Sequence, residues 1–182
     1  MKYIFLDRDG VINKEIDHLN KIEQVELIPR SANAIKLLNE NNYSIIIITN
    51  QAAIAKGLLT EKGLEDIHLH LRKLLEKEGA QITKIYFCPH HPETEYSGLK
   101  KCACRKPNPG LLLEAQKALG IPELQKCYMI GDKTSDIAAG AAVGCKTILV
   151  NTGYAGKDRE VEAKPNFIAQ DLYDAVTRII LK

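Results

Sequence analysis

Four consecutive isoleucines, Ile45, Ile46, Ile47 and Ile48, put apolar side chains on both faces of any strand they form. Such a strand belongs in the interior of a parallel sheet covered on both sides. Further strand-like runs lie at residues 3–6, 82–87, 127–130 and 146–150, and helical patterns fall between them. Residues 31–41 follow Pro29, with Ser31 as N-cap and Ala34, Ile35, Leu37 and Leu38 on one side. Thr60 can cap a helix in which Leu64, Ile67, Leu71, Leu74 and Leu75 recur at helical spacing. Pro109 can open another that stops at Gly120, with Pro122 just beyond. An Ala-rich helix fits between the last two strands, and residues 171–181 read as a closing helix. This alternation predicts an α/β fold with a central parallel sheet under helices on both faces. No linker divides the chain, so residues 1–182 are expected to form one domain.

Composition narrows the classes of function. Lys plus Arg total 25 against 23 for Asp plus Glu, which gives no electrostatic footprint for nucleic acid. No apolar run is long enough to span a bilayer. The segment from Met1 to Leu6 meets Asp7 too soon for a signal peptide, so the cytoplasm is the expected location, with no membrane partner. The chain is expected to be a monomer. Five cysteines are an odd number for a disulfide framework.

Ligands of open parallel sheets gather at the carboxyl ends of the strands. Here those ends carry Asp7-Arg8-Asp9-Gly10, Thr49-Asn50-Gln51, Cys88-Pro89-His90 and Gly131-Asp132-Lys133. Two acids at i and i+2 can both point into one pocket as the chain leaves a strand. One can attack phosphorus, because a carboxylate is a competent nucleophile. The other can protonate the leaving oxygen and later deprotonate water. Asp132 would help hold Mg²⁺, a hard ion that prefers oxygen ligands. Thr49 can donate its hydroxyl to phosphate oxygens, with Asn50 and Gln51 beside it. Lys106 supplies a fixed positive charge, and Arg105 can fork onto a phosphate. Asp136 either braces the metal shell or Lys133, or is a first-turn acid favoured by the helix dipole.

The ordered set Asp7-x-Asp9, Thr49, Lys106 and Gly131-Asp132 resembles the haloacid dehalogenase superfamily of phosphohydrolases over nearly the whole chain. The resemblance implies a Rossmann-like three-layer αβα fold without a large cap domain. It implies Asp7 as nucleophile and Asp9 as acid/base. Mg²⁺ would be held by Asp7, the Asp9 backbone carbonyl and Asp132. Thr49 and Lys106 would hold the transferring phosphoryl group.

Cys88-x-His90, eleven intervening residues and Cys102-x-Cys104 offer three thiolates and an imidazole, an inventory suited to tetrahedral Zn²⁺. This zinc loop spans residues 88–104. His91 could replace His90 as the ligand, and the resemblance favours His90. Cys104 immediately precedes Arg105 and Lys106, so the metal would pin the basic pair at the pocket. Cys127 and Cys145 read as core residues. The loop resembles that of the heptose-bisphosphate phosphatases, which implies a small phosphorylated sugar as substrate. Removal of its 7-phosphate serves nucleotide-activated heptose and lipopolysaccharide precursor synthesis. A related group sharing the loop acts on histidinol phosphate, and a non-catalytic zinc-stabilised binding protein is a third reading. Arg105, Lys106, Lys133, Asn50 and Gln51 are the expected substrate-binding residues. Two local departures from the heptose pattern are Ala52-Ala53, where Ser-Gly is usual, and Glu15-Ile16-Asp17-His18, where a Tyr is usual near position 18.

Overall fold

The computed structural model describes residues 2–96 and 102–182. Six parallel strands form one sheet: β1 (Lys2–Leu6), β2 (Tyr43–Asn50), β3 (Lys84–Cys88), β4 (Tyr128–Gly131), β5 (Lys146–Val150) and β6 (Phe167–Ala169). The helices are α1 (Ser31–Glu40), α2 (Ala52–Ala55), α3 (Glu61–Lys77), α4 (Gly110–Leu119), α5 (Thr134–Ala142) and α6 (Leu172–Asp174). The strand order is β3-β2-β1-β4-β5-β6. The chain therefore builds outward from β1 to β3, then returns across β1 to build the other half. Such a reversal opens a crevice beyond the strand ends.

The isoleucine run behaves as its pattern requires. Ile45 and Ile47 enter one core with Ile4, Leu6, Ile35 and Leu38, while Ile46 and Ile48 enter another with Phe5, Leu111, Leu112 and Met129. Helix α1 and the C-terminal helical segment cover the first face, and α4 and α5 contribute to the second. Thr60 accepts a hydrogen bond from the Gly63 N–H at 3.0 Å and so caps α3. Gly120 ends α4 in the left-handed region, φ 61°. Cys127 and Cys145 are buried in the second core.

Several boundaries differ from expectation. Ser31 does not cap α1; the cap position is Arg30, and the Ser31 hydroxyl donates to the Ile12 carbonyl at 2.8 Å. That bond ties the start of α1 to the loop after β1. β3 starts at Lys84 rather than Ile82 and includes Cys88, which puts the cysteine on the sheet itself. The 127–130 run starts its strand at Tyr128. The closing helix is one short α turn followed by a π-helical stretch, Ala175–Ile180. β6 was not expected: it is a three-residue edge strand with two exposed positions, so it lacks a buried-strand signature. No described helix is long and apolar enough to cross a membrane.

Candidate active site

Leu6 pairs with Ile47 on one side and Ile130 on the other. Asp7, Thr49 and Asp132 therefore leave the sheet at the same edge, and Asp7, Asp9, Thr49, Arg105 and Lys106 line one cavity there. The Asp7 N–H donates to the Ile130 carbonyl at 2.9 Å, extending β1 by one bond and aiming the carboxylate outward.

Lys106 reaches this edge from the loop before α4 and is only 2 % exposed. Its Nζ lies 2.9 Å from Asp7 Oδ1 and 2.6 Å from Asp136 Oδ1, and it donates to the Ile48 carbonyl at 2.6 Å. Burial opposes its charge, but Asp136 and Asp7 outweigh burial and raise its pKa. Lys106 is thus a fixed cation. Asn50 holds its backbone, donating to the Lys106 carbonyl and accepting from the Lys106 N–H.

Asp132 is fully buried. Its Oδ2 accepts from the Tyr154 N–H at 2.7 Å, while Oδ1 has no hydrogen-bond partner among the described residues. Burial first, then the charges of Asp7 and Asp136, push its pKa to about 8. Carboxylate oxygens of Asp7, Asp132 and Asp136 lie within 4.8 Å of one another. Three clustered carboxylates with an orphaned buried oxygen form a donor set that a hard divalent cation fits. Gly10, φ 77°, faces this cluster, and a Cβ there would collide with the Asp132 carboxylate.

Asp136 is a first-turn acid and also takes a partner that neither alternative named. Its Oδ2 accepts from the Lys133 N–H at 3.0 Å, closing the first turn of α5, and its other oxygen pairs with Lys106. Burial, followed by the charge of Asp7, raises its pKa to about 6. Lys133 itself lies 3.6 Å from Glu15 Oε2 and 4.2 Å from the Tyr154 ring centre.

The Asp9 side chain is held by a separate set of donors. It accepts from Arg8 Nε and Asn13 Nδ2 on Oδ1, and from Arg8 Nη2 and Gln51 Nε2 on Oδ2. Burial opposes ionisation, but Arg8 and these donors outweigh it and hold Asp9 below the ordinary carboxylate range. Gln51 Nε2 also donates to Thr49 Oγ1 at 2.8 Å. With Oγ1 accepting there, the Thr49 hydroxyl proton is left to point at a ligand.

Cys88 Sγ, His90 Nδ1, Cys102 Sγ and Cys104 Sγ converge, with separations of 3.1–3.6 Å among the hydrogen-bonding pairs. His91 stands outside this group, its Nδ1 accepting from the Glu93 N–H. Burial raises the Cys88 thiol, and Cys104 is raised likewise, whereas hydrogen bonds lower Cys102 despite burial. Three sulfurs and one imidazole at tetrahedral spacing suit Zn²⁺. Residues 97–101 of the loop lie outside the described residues. The Arg105 N–H donates to Cys102 Sγ and its Nη1 donates to the His90 carbonyl, so the cluster and the basic pair form one unit.

Sequence reasoning missed Arg8, His68 and Tyr154. Arg8 stands between two acids, and nothing in its sequence neighbours marks it as buried. His68 reads as part of a helix face. Tyr154 acts through its backbone N–H, which carries no residue-type signal.

A family model described as HAD-hydrolase-like matches residues 103–175. The D-glycero-alpha-D-manno-heptose-1,7-bisphosphate 7-phosphatase of Photorhabdus laumondii is 42 % identical over 156 residues, covering 85 % of each chain. The D-glycero-D-manno-heptose-1,7-bisphosphate 7-phosphatase of Chlorobaculum tepidum is 36 % identical over 188 residues, covering 99 % of this chain and 94 % of its own. The crystal structure of D,D-heptose 1,7-bisphosphate phosphatase from B. bronchiseptica, complexed with magnesium and phosphate, superposes with a TM-score of 0.90 at 29 % identity. That match covers 100 % of this chain and 99 % of the other. The chain belongs to the heptose-1,7-bisphosphate 7-phosphatase family of HAD-like hydrolases.

Proposed function

We propose that this chain removes the 7-phosphate of D-glycero-D-manno-heptose 1,7-bisphosphate, with Asp7 as nucleophile. The observation that carries the reading is the pairing of Asp7 with the buried Lys106 ammonium at 2.9 Å, beside the orphaned Asp132 oxygen. Lys106 orients the carboxylate and can neutralise phosphoryl oxygens drawn in beside it. Asp7 attacks phosphorus, forming an aspartyl phosphate as the bond to the sugar oxygen breaks. Asp9, a carboxylate in the free site, takes up a proton as the anionic phosphate arrives beside it, gives that proton to the departing oxygen, and then takes one from the water that hydrolyses the aspartyl phosphate. Thr49 donates its hydroxyl to a phosphoryl oxygen.

Asp7, Asp132 and the Asp9 carbonyl would hold Mg²⁺, which supplies charge neutralisation for the phosphoryl group. Cys88, His90, Cys102 and Cys104 would hold Zn²⁺, which fixes the loop carrying Arg105 and Lys106. With all four ligands from protein, this second metal has no open position for water. Arg105 and Lys133 complete the substrate site, while Asn50 and Gln51 line the same cavity with their side-chain amides committed to Lys106 and to Arg8, Asp9 and Thr49. The relatives' names support the sugar bisphosphate. A phosphate-release panel with Mg²⁺, comparing heptose 1,7-bisphosphate, histidinol phosphate and simple monophosphates, tests the reading. Fastest turnover is expected on the heptose bisphosphate, and preference for histidinol phosphate would reassign the substrate.

A further inference from the structure

Arg8 is the largest of the fully buried side chains, and the reaction as proposed gives it no step. Its guanidinium stays charged and has only donors. A buried charge without partners would be strongly destabilising. Two of its nitrogens grip Asp9, at 3.1 and 2.8 Å, and Nη2 also donates to Gln51 Oε1 at 3.1 Å. That last bond fixes the Gln51 amide so that its Nε2 faces Asp9 and Thr49. The remaining contact is Nη1 with His68 Nε2 at 3.1 Å, sixty residues away in sequence, on α3.

Because Arg8 can only donate, His68 Nε2 must accept. His68 is therefore a neutral imidazole with its proton on Nδ1. It is 8 % exposed and sits edge-on to Phe87, with ring centres 6.2 Å apart. Burial and the charge of Arg8 agree with this, lowering its pKa to about 3.

We propose that His68 is a positioning residue for the proton-transfer step: by accepting from Arg8 it fixes the guanidinium plane, which sets the direction of the Asp9 carboxyl. The inference rests on the proposed role of Asp9. In the first half-reaction the bond from Asp7 oxygen to phosphorus forms and the bond from phosphorus to the sugar oxygen breaks. The proton that Asp9 takes up as the anionic substrate binds goes to that departing oxygen. In the second, water oxygen attacks phosphorus, its proton goes to Asp9, and the bond from phosphorus to Asp7 breaks. Without an acceptor at position 68, Nη1 is left buried and unpaired. The guanidinium turns to find another partner, and Asp9 turns with it.

The leaving group separates this role from a merely structural one. A primary alkoxide must be protonated as it leaves, whereas p-nitrophenolate leaves unaided. Wild-type protein with Mg²⁺ is assayed first. Turnover of heptose 1,7-bisphosphate that is lost in Asp7→Asn establishes the underlying reading, and its absence overturns that reading and this one together. With turnover present, His68→Leu should lower kcat/KM roughly tenfold more on heptose bisphosphate than on p-nitrophenyl phosphate. His68→Gln, whose amide oxygen can accept from Arg8, should restore most of the loss. Equal losses on both substrates, or none, would overturn the positioning role. If His68→Leu does not fold, nitrogen-15 spectra of wild-type protein at pH 7 decide. The Nδ1–H tautomer supports the proposal, and an Nε2–H tautomer or an imidazolium overturns it.

Discussion

Asn50 clasps the backbone of Lys106 from both sides, its Nδ2 donating to the carbonyl at 3.0 Å and its Oδ1 accepting from the N–H at 3.1 Å. The end of β2 thereby sets the height from which the Lys106 side chain descends to Asp7. Asn50→Ala removes both bonds and leaves two half-buried backbone groups to find water. A stability loss of about 1–3 kcal/mol is expected, together with a fall in kcat as Lys106 loses its register. Denaturant melts and steady-state kinetics check this, and unchanged kcat would show that Lys106 is held by its ion pairs alone.

Asp7→Asn keeps the shape of the nucleophile and removes its charge. Lys106 retains Asp136 as a partner, so the fold should survive with a thermal midpoint close to wild type. Turnover should fall by roughly a thousandfold or more. Asp9→Asn should also be severely impaired, since an amide cannot carry the proton in both half-reactions. Full activity in well-folded Asp7→Asn would exclude an aspartyl phosphate at this position.

Purified protein should carry about one zinc per chain. Cys104 Sγ lies 3.1 Å from both Cys88 Sγ and Cys102 Sγ, so Cys104→Ser removes a sulfur in close contact with the other two. It should lose the metal, destabilise the loop and weaken phosphate binding through Arg105 and Lys106. Elemental analysis of fully active protein that finds no zinc would remove the metal from the argument.

Stability without Mg²⁺ should depend on pH in a particular direction. Burial, with nearby carboxylates, raises Asp132 to about 8, and burial raises Glu15 to about 7. Between their unfolded values and these raised ones, the folded state binds more protons than the unfolded state. Stability therefore falls as pH rises through that window. His68 has the opposite sign, because burial lowers it to about 3 and the unfolded state protonates first. Its contribution is lost as pH falls below about 6.5 and is nearly constant above that. Between pH 6.5 and 8 the raised carboxyl groups therefore act without a contribution from His68. EDTA-treated protein should melt lower at pH 8 than at pH 6.5, and Mg²⁺ should stabilise it more at pH 8. A larger Mg²⁺ shift at pH 6.5 would exclude Asp132 as a ligand that loses its proton on binding.

The strand ends were legible because a buried parallel strand announces itself by an unbroken apolar run, and the run's end marks the sheet edge. Asp7, Thr49 and Asp132 could be placed that way, and Lys106 by its neighbours Cys104 and Pro107. The network behind them was not legible. Arg8 turns inward between two acids because His68, from the interior of α3, accepts its free arm, and no local pattern links residues so distant in sequence. His90 and His91 are adjacent and chemically identical, so beyond the resemblance that favours His90 it takes the fold to separate the one facing three sulfurs from the one facing the Glu93 N–H. β6 escaped notice because an exposed three-residue edge has neither length nor alternation.

In the proposed reaction, Arg105 is the residue expected to distinguish the two phosphates of a bisphosphate substrate. On that proposal one phosphate sits against Asp7, Lys106 and Thr49, and the other needs its own cation across the sugar. The Arg105 guanidinium lines the same cavity, and its Nη1 donates to the His90 carbonyl at 3.1 Å, which anchors the fork to the loop of sulfurs. A planar fork held in this way matches phosphate oxygens with little further ordering. Arg105→Ala should therefore penalise heptose 1,7-bisphosphate by about 2–4 kcal/mol in kcat/KM. Monophosphates, which leave the distal position empty, should lose much less. Parallel kinetics on the two classes check the assignment, and an equal loss on both would place Arg105 at the transferring phosphoryl group instead.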